Sequence, residues 1–329
     1  MLVMSEYVSR MLRKRSAQDP TLSDDEAELG RIAREAMRDP DSFVADDEDR
    51  AFLALARATS VARREIEDAE DAEAYGESAP AASDLTRTRH ELQRCLEIDP
   101  HCYDARLLLT LADAKNDDDA LARLLALEDE ARAWCRQRSD ELDGFVLDPW
   151  DALFMRPYLR IEGRIVDLLT TSARYRAALE RCRRLLADSP ADGQGIRHTA
   201  ALILARLEDE KGLDDLDARF GRTGSAWMHV ARAILLYKLG RMDAARRAVT
   251  GLATLCPGAA YYLANPTYVQ PYLPDRPPFT PGTAQESLLA TYEADFLVMD
   301  TPDFVTWALS VESFTHSASE YGRLHGDDL

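Results

Sequence analysis

The stretch FMRPYLRIEGRIVDLLTTSARYRAALERCRRLLADSPADGQGIR, Phe154 to Arg197, decides the fold of this chain. It predicts two antiparallel helices, a turn at Pro190 and the first turn of a third helix. Apolar residues of the second helix keep the spacing of three to four that forms one buried face: Tyr175, Ala178, Leu179, Leu185 and Leu186. A helix pair cannot bury such a face alone, so we expect further pairs stacked on both sides.

Two features recur at fixed distances along the chain. Three predicted helices end at a proline, namely Pro100, Pro190 and Pro257. Twelve residues before the last two prolines, and twenty residues after the first, the chain has a small residue: Ala178, Ala245 and Ala120. Tetratricopeptide units place a small residue there because their two helices approach closely. The spacing predicts an all-α, tetratricopeptide-like, right-handed array of antiparallel helix pairs, with an N-terminal helical extension and a C-terminal helical cap.

Changes in composition divide the chain into four predicted segments. Residues 1–80 form the N-terminal helical extension, which ends in an acidic, small-residue linker near residues 76–82. Residues 83–257 form the helical array, and residues 258–321 form a proline-rich crossing with the capping helices. Residues 322–329 are expected to be a disordered tail.

Capping-box spacing predicts where two helices begin. Ser23 with Glu26 predicts a helix that runs to about Arg38, and Thr283 with Glu286 predicts another near the C-terminus. In such a pair, each side chain satisfies a backbone amide that the helix itself leaves without a partner.

Two stretches break the helical pattern. ELDGFVLDPWD, Glu141 to Asp151, is expected to form an ordered loop with Phe145 and Trp150 packed beneath the helices. NPTYVQPYLPDRPPFTPG, which begins at Asn265, is too rich in proline for a helix. We expect this second stretch to cross the surface in an extended form.

The composition is that of a globular protein with a strong negative charge. Its 329 residues are 46% hydrophobic and 30% charged, with a formal net charge of −19. Phosphate backbones and anionic lipids carry the same sign and are repelled at long range. The charge therefore argues against nucleic acid and membrane surfaces as partners.

The N-terminus and the cysteines favour a cytoplasmic location. MLVMSEYVSRMLRKRS lacks the uninterrupted apolar core of a signal peptide, because Ser5, Glu6 and Arg10 break it. No later run approaches the roughly 20 apolar residues that span a bilayer. The five cysteines form no CxxC pair, which argues against a disulfide framework and a structural zinc site.

Several short motifs occur in a characteristic order: Trp150, RPYLR at Arg156–Arg160, DGQGIR at Asp192–Arg197, AW at Ala226–Trp227, then YLAN and PGTAQESLLATY around the proline-rich crossing. This order resembles a bacterial tetratricopeptide-like family that is similar to the C-terminal half of the suppressor-of-tumorigenicity-seven proteins. The resemblance covers Pro100 to Trp307 and leaves residues 1–80 outside. The family's Asn-Pro-Asn-Asp-Asn-Gln-Gly run is Ser-Pro-Ala-Asp-Gly-Gln-Gly here, at Ser189–Gly195, so three amides are missing. The resemblance implies a helical-repeat fold and no activity.

No motif predicts catalysis, a metal or a cofactor. The six histidines are scattered, and none has a second histidine or cysteine at i+3 or i+4 with a carboxylate in support: His90, His101, His198, His229, His316 and His325. Acidic runs at Asp46–Asp49 and Asp117–Asp119 lie at predicted helix starts, where the helix dipole explains them. There is no G-x-S-x-G elbow, and Gly193-Gln194-Gly195 follows no strand. We expect a protein that is not an enzyme. A further alternative is an enzyme whose active site is assembled by the fold from residues distant in sequence.

The candidate binding residues are a row of arginines and the turn after Pro190. Arg156, Arg160 and Arg164 recur every four residues, so they share one helix face, here called the arginine row. Guanidinium groups bind carboxylates bidentately, so this face could hold an acidic segment of a partner protein. The full predicted set is Arg156, Arg160, Arg164, Gln194, Arg197 and His198. The alternative is that the arginines brace the helices by pairing with acids of this chain: Glu162, Asp167, Glu180 and Asp188.

Two functions are consistent with these features. The first is a non-catalytic scaffold that binds a peptide or partner protein in the concave groove of the array. The second is a regulatory sensor whose groove binds a small anion or a signalling peptide. Neither requires a cofactor, and the oligomeric state is not predicted.

Overall fold

The computed structural model of this protein describes residues 2–74, 85–269 and 272–325, and these residues contain helices and no β-strand. The α-helices are α1 (Leu2–Gln18), α2 (Glu26–Arg38), α3 (Asp47–Ala74), α4 (Thr86–Ile98), α5 (Tyr103–Asp113), α6 (Asp117–Leu142), α7 (Arg156–Thr171), α8 (Tyr175–Asp188), α9 (Ile196–Arg206), α10 (Glu210–Arg219), α11 (Ala226–Lys238), α12 (Met242–Leu255), α13 (Ala259–Ala264), α14 (Ala284–Glu293), α15 (Asp295–Met299), α16 (Asp303–Ala308) and α17 (Glu312–His325). Short 3-10 helices occupy Pro20–Asp24, Pro40–Phe43 and Pro149–Asp151. The prediction of an all-α fold is confirmed.

The chain forms two compact units. Unit 1 comprises Met1–Leu168 and Pro271–Arg276, and unit 2 comprises Leu169–Gln270 and Pro277–Leu329. This division differs from the predicted segments, because α3 of the predicted extension packs against both α1 and α4 and so joins the start of the predicted array. The predicted linker at residues 76–82 lies outside the described residues.

Unit 1 has a core built by the first five helices. Tyr7 and Met11 of α1, Leu55 of α3 and Leu92 of α4 are each at most 2% exposed. The polar side of α1 is also anchored, because Lys14 contacts the carboxylates at the start of α3. The N-terminal helix is thus docked on the unit rather than free.

Both acidic runs begin helices, as their positions predict. The Asp46 carboxylate accepts a hydrogen bond from the Asp49 amide at 2.9 Å. Asn116 caps α6 in the same way, through the Asp119 amide at 3.0 Å. Carboxylates near these amides also interact favourably with the helix dipole.

Unit 2 contains consecutive helix pairs. Helix α9 packs against α8, α10 and α11, and α11 packs against α12. Ala178 and Ala245, the small residues singled out by their spacing, are fully buried. Helix α17 packs on α12 and α13 and closes the C-terminal end of the unit.

The turns that follow three helices share one geometry. Ala173, Glu208 and Gly240 follow α7, α9 and α11 with φ of 59°, 60° and 69°. The amide after each one bonds a carbonyl five residues earlier: Arg174 to Leu169, Asp209 to Leu204 and Arg241 to Leu236. This is the Schellman arrangement, whose left-handed residue favours glycine. Only one of the three positions has a glycine.

Two predicted helix starts have different outcomes. Helix α2 begins behind Asp25, whose carboxylate accepts from the Glu28 amide at 2.9 Å, so the capping pair lies two residues after Ser23. Thr283 does cap α14, and its hydroxyl accepts from the Glu286 amide. The Glu286 carboxylate accepts from other amides, those of Gly282 and Ala226.

Two further predictions need correction. Phe145 was expected to pack beneath the helices, but its side chain is 92% exposed because the loop turns outward at Gly144, where φ is +66°. The disordered tail was expected from Gly322, but α17 continues to His325. The Tyr321 hydroxyl is hydrogen bonded to Tyr262, and its ring packs on His325, which holds this last turn in place. Residues 326–329 lie outside the described residues.

Candidate interaction site

The arginine row lies on the part of α7 that belongs to unit 1. Its three guanidinium groups contact three distant stretches of the unit: α1, the start of α5 and residues 272–275. Of the predicted bracing partners, Asp167 pairs with Arg164 at 3.2 Å, and the row also pairs with Glu6, Asp104 and Asp275. The row therefore joins parts of the chain that are far apart in sequence.

Arg160 is the centre of the row. It is only 5% exposed, and its Nε and Nη2 atoms each donate to the Asp275 carboxylate at 2.8 Å. Its Nη1 atom donates to Asp104 at 2.9 Å, and Glu6 completes the cluster. The guanidinium therefore binds a carboxylate bidentately, the strongest geometry of this ion pair.

Arg164 binds the same stretch of chain as Arg160. Its Nη2 atom donates to the carbonyl oxygen of Tyr272 at 2.8 Å. Two neighbouring arginines of one helix thus hold a carbonyl and, three residues later, a carboxylate. The stretch between these groups is irregular and contains Pro274, so it presents its backbone to the helix without internal helical bonds.

Arg156 begins the row and contacts Trp150. Its Nε atom donates to the Trp150 carbonyl at 2.8 Å, and its guanidinium lies 5.3 Å from the indole ring centre. The Arg160 guanidinium lies 5.8 Å from the same ring. Cations over an aromatic face are attracted to it, so Trp150 positions both arginines.

Charge and burial compete within this cluster. Burial opposes the ionisation of Glu6, but the positive charges of Arg160 and Arg10 prevail and lower its pKa from 4.5 to about 2. For Asp104 burial prevails over the attraction of Arg160 and raises the pKa above its usual 3.8. The same cluster thus holds one carboxylate that is strongly ionised and one that resists ionisation.

A small cavity lies beside this cluster. Its volume is about 20 Å³, and its walls include Arg10, Asp104, Cys102 and Cys135. Among the described residues, Arg10 Nε and Asp104 Oδ1 are buried without a hydrogen-bond partner. A cavity of this size has room for about one water molecule. It is too small for a peptide or an organic ligand.

The remaining predicted residues lie in unit 2. Arg197 bonds the Asp192 carboxylate at 3.2 Å and lies over the Phe220 ring. His198 is 3% exposed and stacks on Trp227, with ring centres 4.1 Å apart. Gln194 is partly buried in the turn before α9. His198 is thus buried against Trp227, and the binding roles of Gln194, Arg197 and His198 stay predictions.

Asp192 caps the start of α9. Its carboxylate accepts from the amides of Ile196 at 2.7 Å and Arg197 at 3.0 Å. The residue directly before the helix is Gly195, with a φ of 80°. The turn therefore caps the helix start, and this role accounts for its glycines without a phosphate ligand.

Three carboxylates of the site were not singled out from the sequence: Glu6, Asp104 and Asp275. Only Glu6 carries a local signal, because Arg10 lies four residues later on the same helix face. Asp275 is one acid in a proline-rich stretch, and its partner is 115 residues away. No spacing rule connects such residues.

Other chemistry is sparse in the described part of the chain. No group of three or more histidine, cysteine or acidic residues is placed there to hold a metal ion. The five cysteines are buried, and burial raises the pKa of Cys95, Cys135 and Cys256 to about 12. Within residues 2–74, 85–269 and 272–325, no helix combines the length and apolar content needed to cross a lipid bilayer.

Comparison of this chain with protein-family models, with curated proteins and with solved structures finds no match. The site is therefore interpreted from its own residues.

Proposed function

We propose that this protein is a non-catalytic interaction scaffold whose arginine row binds an irregular acidic segment of protein. One observation carries the proposal: Arg160 and Arg164 hold the Asp275 carboxylate and the Tyr272 carbonyl of a proline-containing stretch. Recognition of a carboxylate by a guanidinium fork together with a backbone carbonyl is a common mode of peptide binding. The occupant in this structure is a segment of the same chain.

The proposed architecture is a tetratricopeptide-like array. The packing of α9 on α8, α10 and α11 supports it, because stacked pairs contact their neighbours in that order. The shared geometry of the turns at Ala173, Glu208 and Gly240 supports it independently. The resemblance to the bacterial tetratricopeptide-like family points to the same arrangement.

An outside partner competes with the chain's own segment. A tethered segment acts at an effective concentration on the order of millimolar. A partner peptide therefore needs a dissociation constant well below that value, or a cellular event that releases the segment. We expect a proline-containing sequence with a carboxylate, because the bound stretch has Asp275 directly after Pro274.

The test weakens the binding of the chain's own segment to the arginine row and adds the same segment as a separate peptide. In an Asp275→Ala variant, the guanidinium of Arg160 loses its bidentate partner. A fluorescein-labelled peptide of residues 266–280 is titrated into wild type and variant, with fluorescence anisotropy as the measurement. We expect the variant to bind at least about tenfold more tightly than wild type, because the tethered competitor is weakened.

Two controls identify the site. The same peptide with its aspartate replaced by alanine is expected not to bind. An Asp303→Ala variant, in which an acid at the start of α16 is removed, is expected to behave as wild type. Equal binding by the Asp275 and Asp303 variants, or no binding to either up to millimolar peptide, contradicts the proposal.

The scaffold is proposed over the sensor because the arginine row holds a segment of protein, through the Asp275 carboxylate and the Tyr272 carbonyl. A cytoplasmic location, and the exclusion of nucleic acid as a partner, stay predictions from the sequence.

A further inference from the structure

A short loop after α6 exposes two large apolar side chains. Phe145 is 92% exposed and Leu147 is 87% exposed, the highest values for large apolar residues in the described chain. Isolated surface leucines are ordinary, but two such residues on one short loop require an explanation. We call residues 143–148 the Phe145 loop.

The first end of the Phe145 loop is fixed by Asp143, which is 2% exposed. Its two carboxylate oxygens accept from the amides of Leu153 at 2.9 Å and Phe154 at 3.0 Å. Its carbonyl oxygen accepts from Arg13 Nη1 at 3.2 Å. This residue is therefore held from both its side chain and its backbone.

The second end is fixed by Asp148, which is 3% exposed. Its carboxylate accepts from the Trp150 amide at 2.8 Å, and its carbonyl accepts from the Asp151 amide at 2.9 Å. Between the two fixed ends, the backbone turns outward at Gly144. The apolar tip is therefore presented by anchored residues, which lowers the entropy cost of docking.

The surroundings of the tip are acidic. Asp140, Glu141 and Asp151 are exposed on either side of it. Three arginines contact the same region, because Arg138 pairs with Glu141, Arg13 bonds the Asp143 carbonyl and Arg156 bonds the Trp150 carbonyl. The five acids of residues 140–151 outnumber these arginines. The whole chain carries a net charge of −19. A second copy of the chain and an anionic membrane both bring negative charge to this tip, whereas a basic protein surface complements it.

We propose that the Phe145 loop is a docking element that inserts into an apolar pocket of another protein, rimmed by lysine and arginine side chains. Phe145 and Leu147 fill the pocket, and the exposed acids face the basic rim. Aromatic side chains are enriched at the centres of such interfaces, with charged residues at their rims. This site uses none of the residues of the arginine row, so it is independent of the proposed function.

The experiment compares three full-length baits. The first is wild type, and the second is the double variant Phe145→Ser with Leu147→Ser. The third is a matched control, Leu255→Ser with Met299→Ser, which removes two apolar side chains that are 61% and 72% exposed elsewhere. Because all four side chains are largely exposed, circular dichroism is expected to show the same melting temperature within about 2 °C for the three proteins.

Proteins captured from a lysate of the cells that produce the chain are identified by mass spectrometry, and each candidate is purified. We expect one that binds wild type and the control equally and binds the Phe145 and Leu147 variant about 30-fold more weakly, the effect of losing an interface hot spot. Its affinity is expected to fall as salt is raised, because the rim contacts are ionic. Substituting the basic rim of that protein is expected to weaken binding as well.

Four results overturn the proposal. They are purified candidates that bind all three baits equally, the absence of any captured protein, and a candidate without a basic pocket. The fourth is an alternative occupant. If the occupant is a second copy of the chain, sedimentation shows a dimer of wild type that the loop variant does not form. If it is a membrane, wild type binds vesicles of phosphatidylcholine, with or without phosphatidylglycerol, and the loop variant does not.

Discussion

Replacing Glu6 with glutamine tests the buried ion cluster of unit 1, because it removes one charge and keeps the volume of the side chain. Glu6 is 5% exposed, and its folded-state pKa is about 2 against 4.5 for the unfolded chain. Each pKa unit corresponds to about 1.4 kcal/mol, so the ionised carboxylate contributes about 3 kcal/mol to the free energy of unfolding. The variant is expected to lose about that amount at pH 7.

The pH dependence gives the sharper result. Because the folded-state pKa is lowered, the contribution of Glu6 is fully present above the unfolded value of 4.5 and is lost as pH falls towards about 2. The difference between wild type and Glu6→Gln is therefore expected to be constant from pH 7 to pH 5. It is expected to shrink to about half between pH 4 and pH 3.

Urea unfolding followed by circular dichroism at 222 nm measures both quantities. Glu28→Gln is the matched control, since Glu28 pairs with Arg31 on the exposed side of α2 and solvent screens that pair. The control is expected to lose much less stability than the Glu6 variant. A loss below about 1 kcal/mol for Glu6→Gln, or one that does not change between pH 5 and pH 3, would refute the reasoning.

Three further substitutions test other features. Asp104→Asn removes a buried carboxylate whose pKa is raised. In the wild type, the stability that the protonated Asp104 contributes is lost as pH rises. The free energy of unfolding of the variant relative to wild type, measured by urea unfolding, is therefore expected to increase from pH 4 to pH 7. Gly240→Ala is expected to lower the free energy of unfolding by about 1 kcal/mol, because no atom lies within 4 Å of the added Cβ and only the positive φ opposes it. Ala173→Gly is expected to raise it by about 0.5 kcal/mol, because Ala173 also has a positive φ. Calorimetry measures both. Trp227→Phe removes the 2.8 Å hydrogen bond from the indole to Glu293 and is expected to cost about 2 kcal/mol in thermal unfolding, with no loss if that bond is unimportant.

Local patterns predicted the helices well because their causes are local. The prolines that follow α4, α8 and α12 end those helices, and Ala178 and Ala245 are buried as their spacing requires. The acidic runs lie at the starts of α3 and α6, where the side chains of Asp46 and Asn116 accept from amides three residues later. Each of these features depends on a few neighbouring residues, so the sequence alone is sufficient to find it.

The site was only partly predictable because its partners are distant. The arginine spacing identified the correct face of α7, but the carboxylates that occupy it are 154, 56 and 115 residues away from Arg160. Phe145 was expected inside because it is apolar, but the bonds of Asp143 and the turn at Gly144 direct it outward. Hydrophobicity predicts burial on average, but it cannot predict that hydrogen bonds at the ends of a loop hold an apolar side chain in solvent.

The return of the chain to unit 1 at Pro271–Arg276 has a consequence for synthesis. Arg160 leaves the ribosome 115 residues before Asp275, and at roughly 5–20 residues per second this interval lasts about 6 to 23 seconds. During that time the nascent chain holds a guanidinium whose bidentate partner has not yet been made. A fragment that stops at Leu168 remains in this condition permanently. Attempts to produce unit 1 by itself are therefore expected to require the later stretch, supplied as a fused or added peptide.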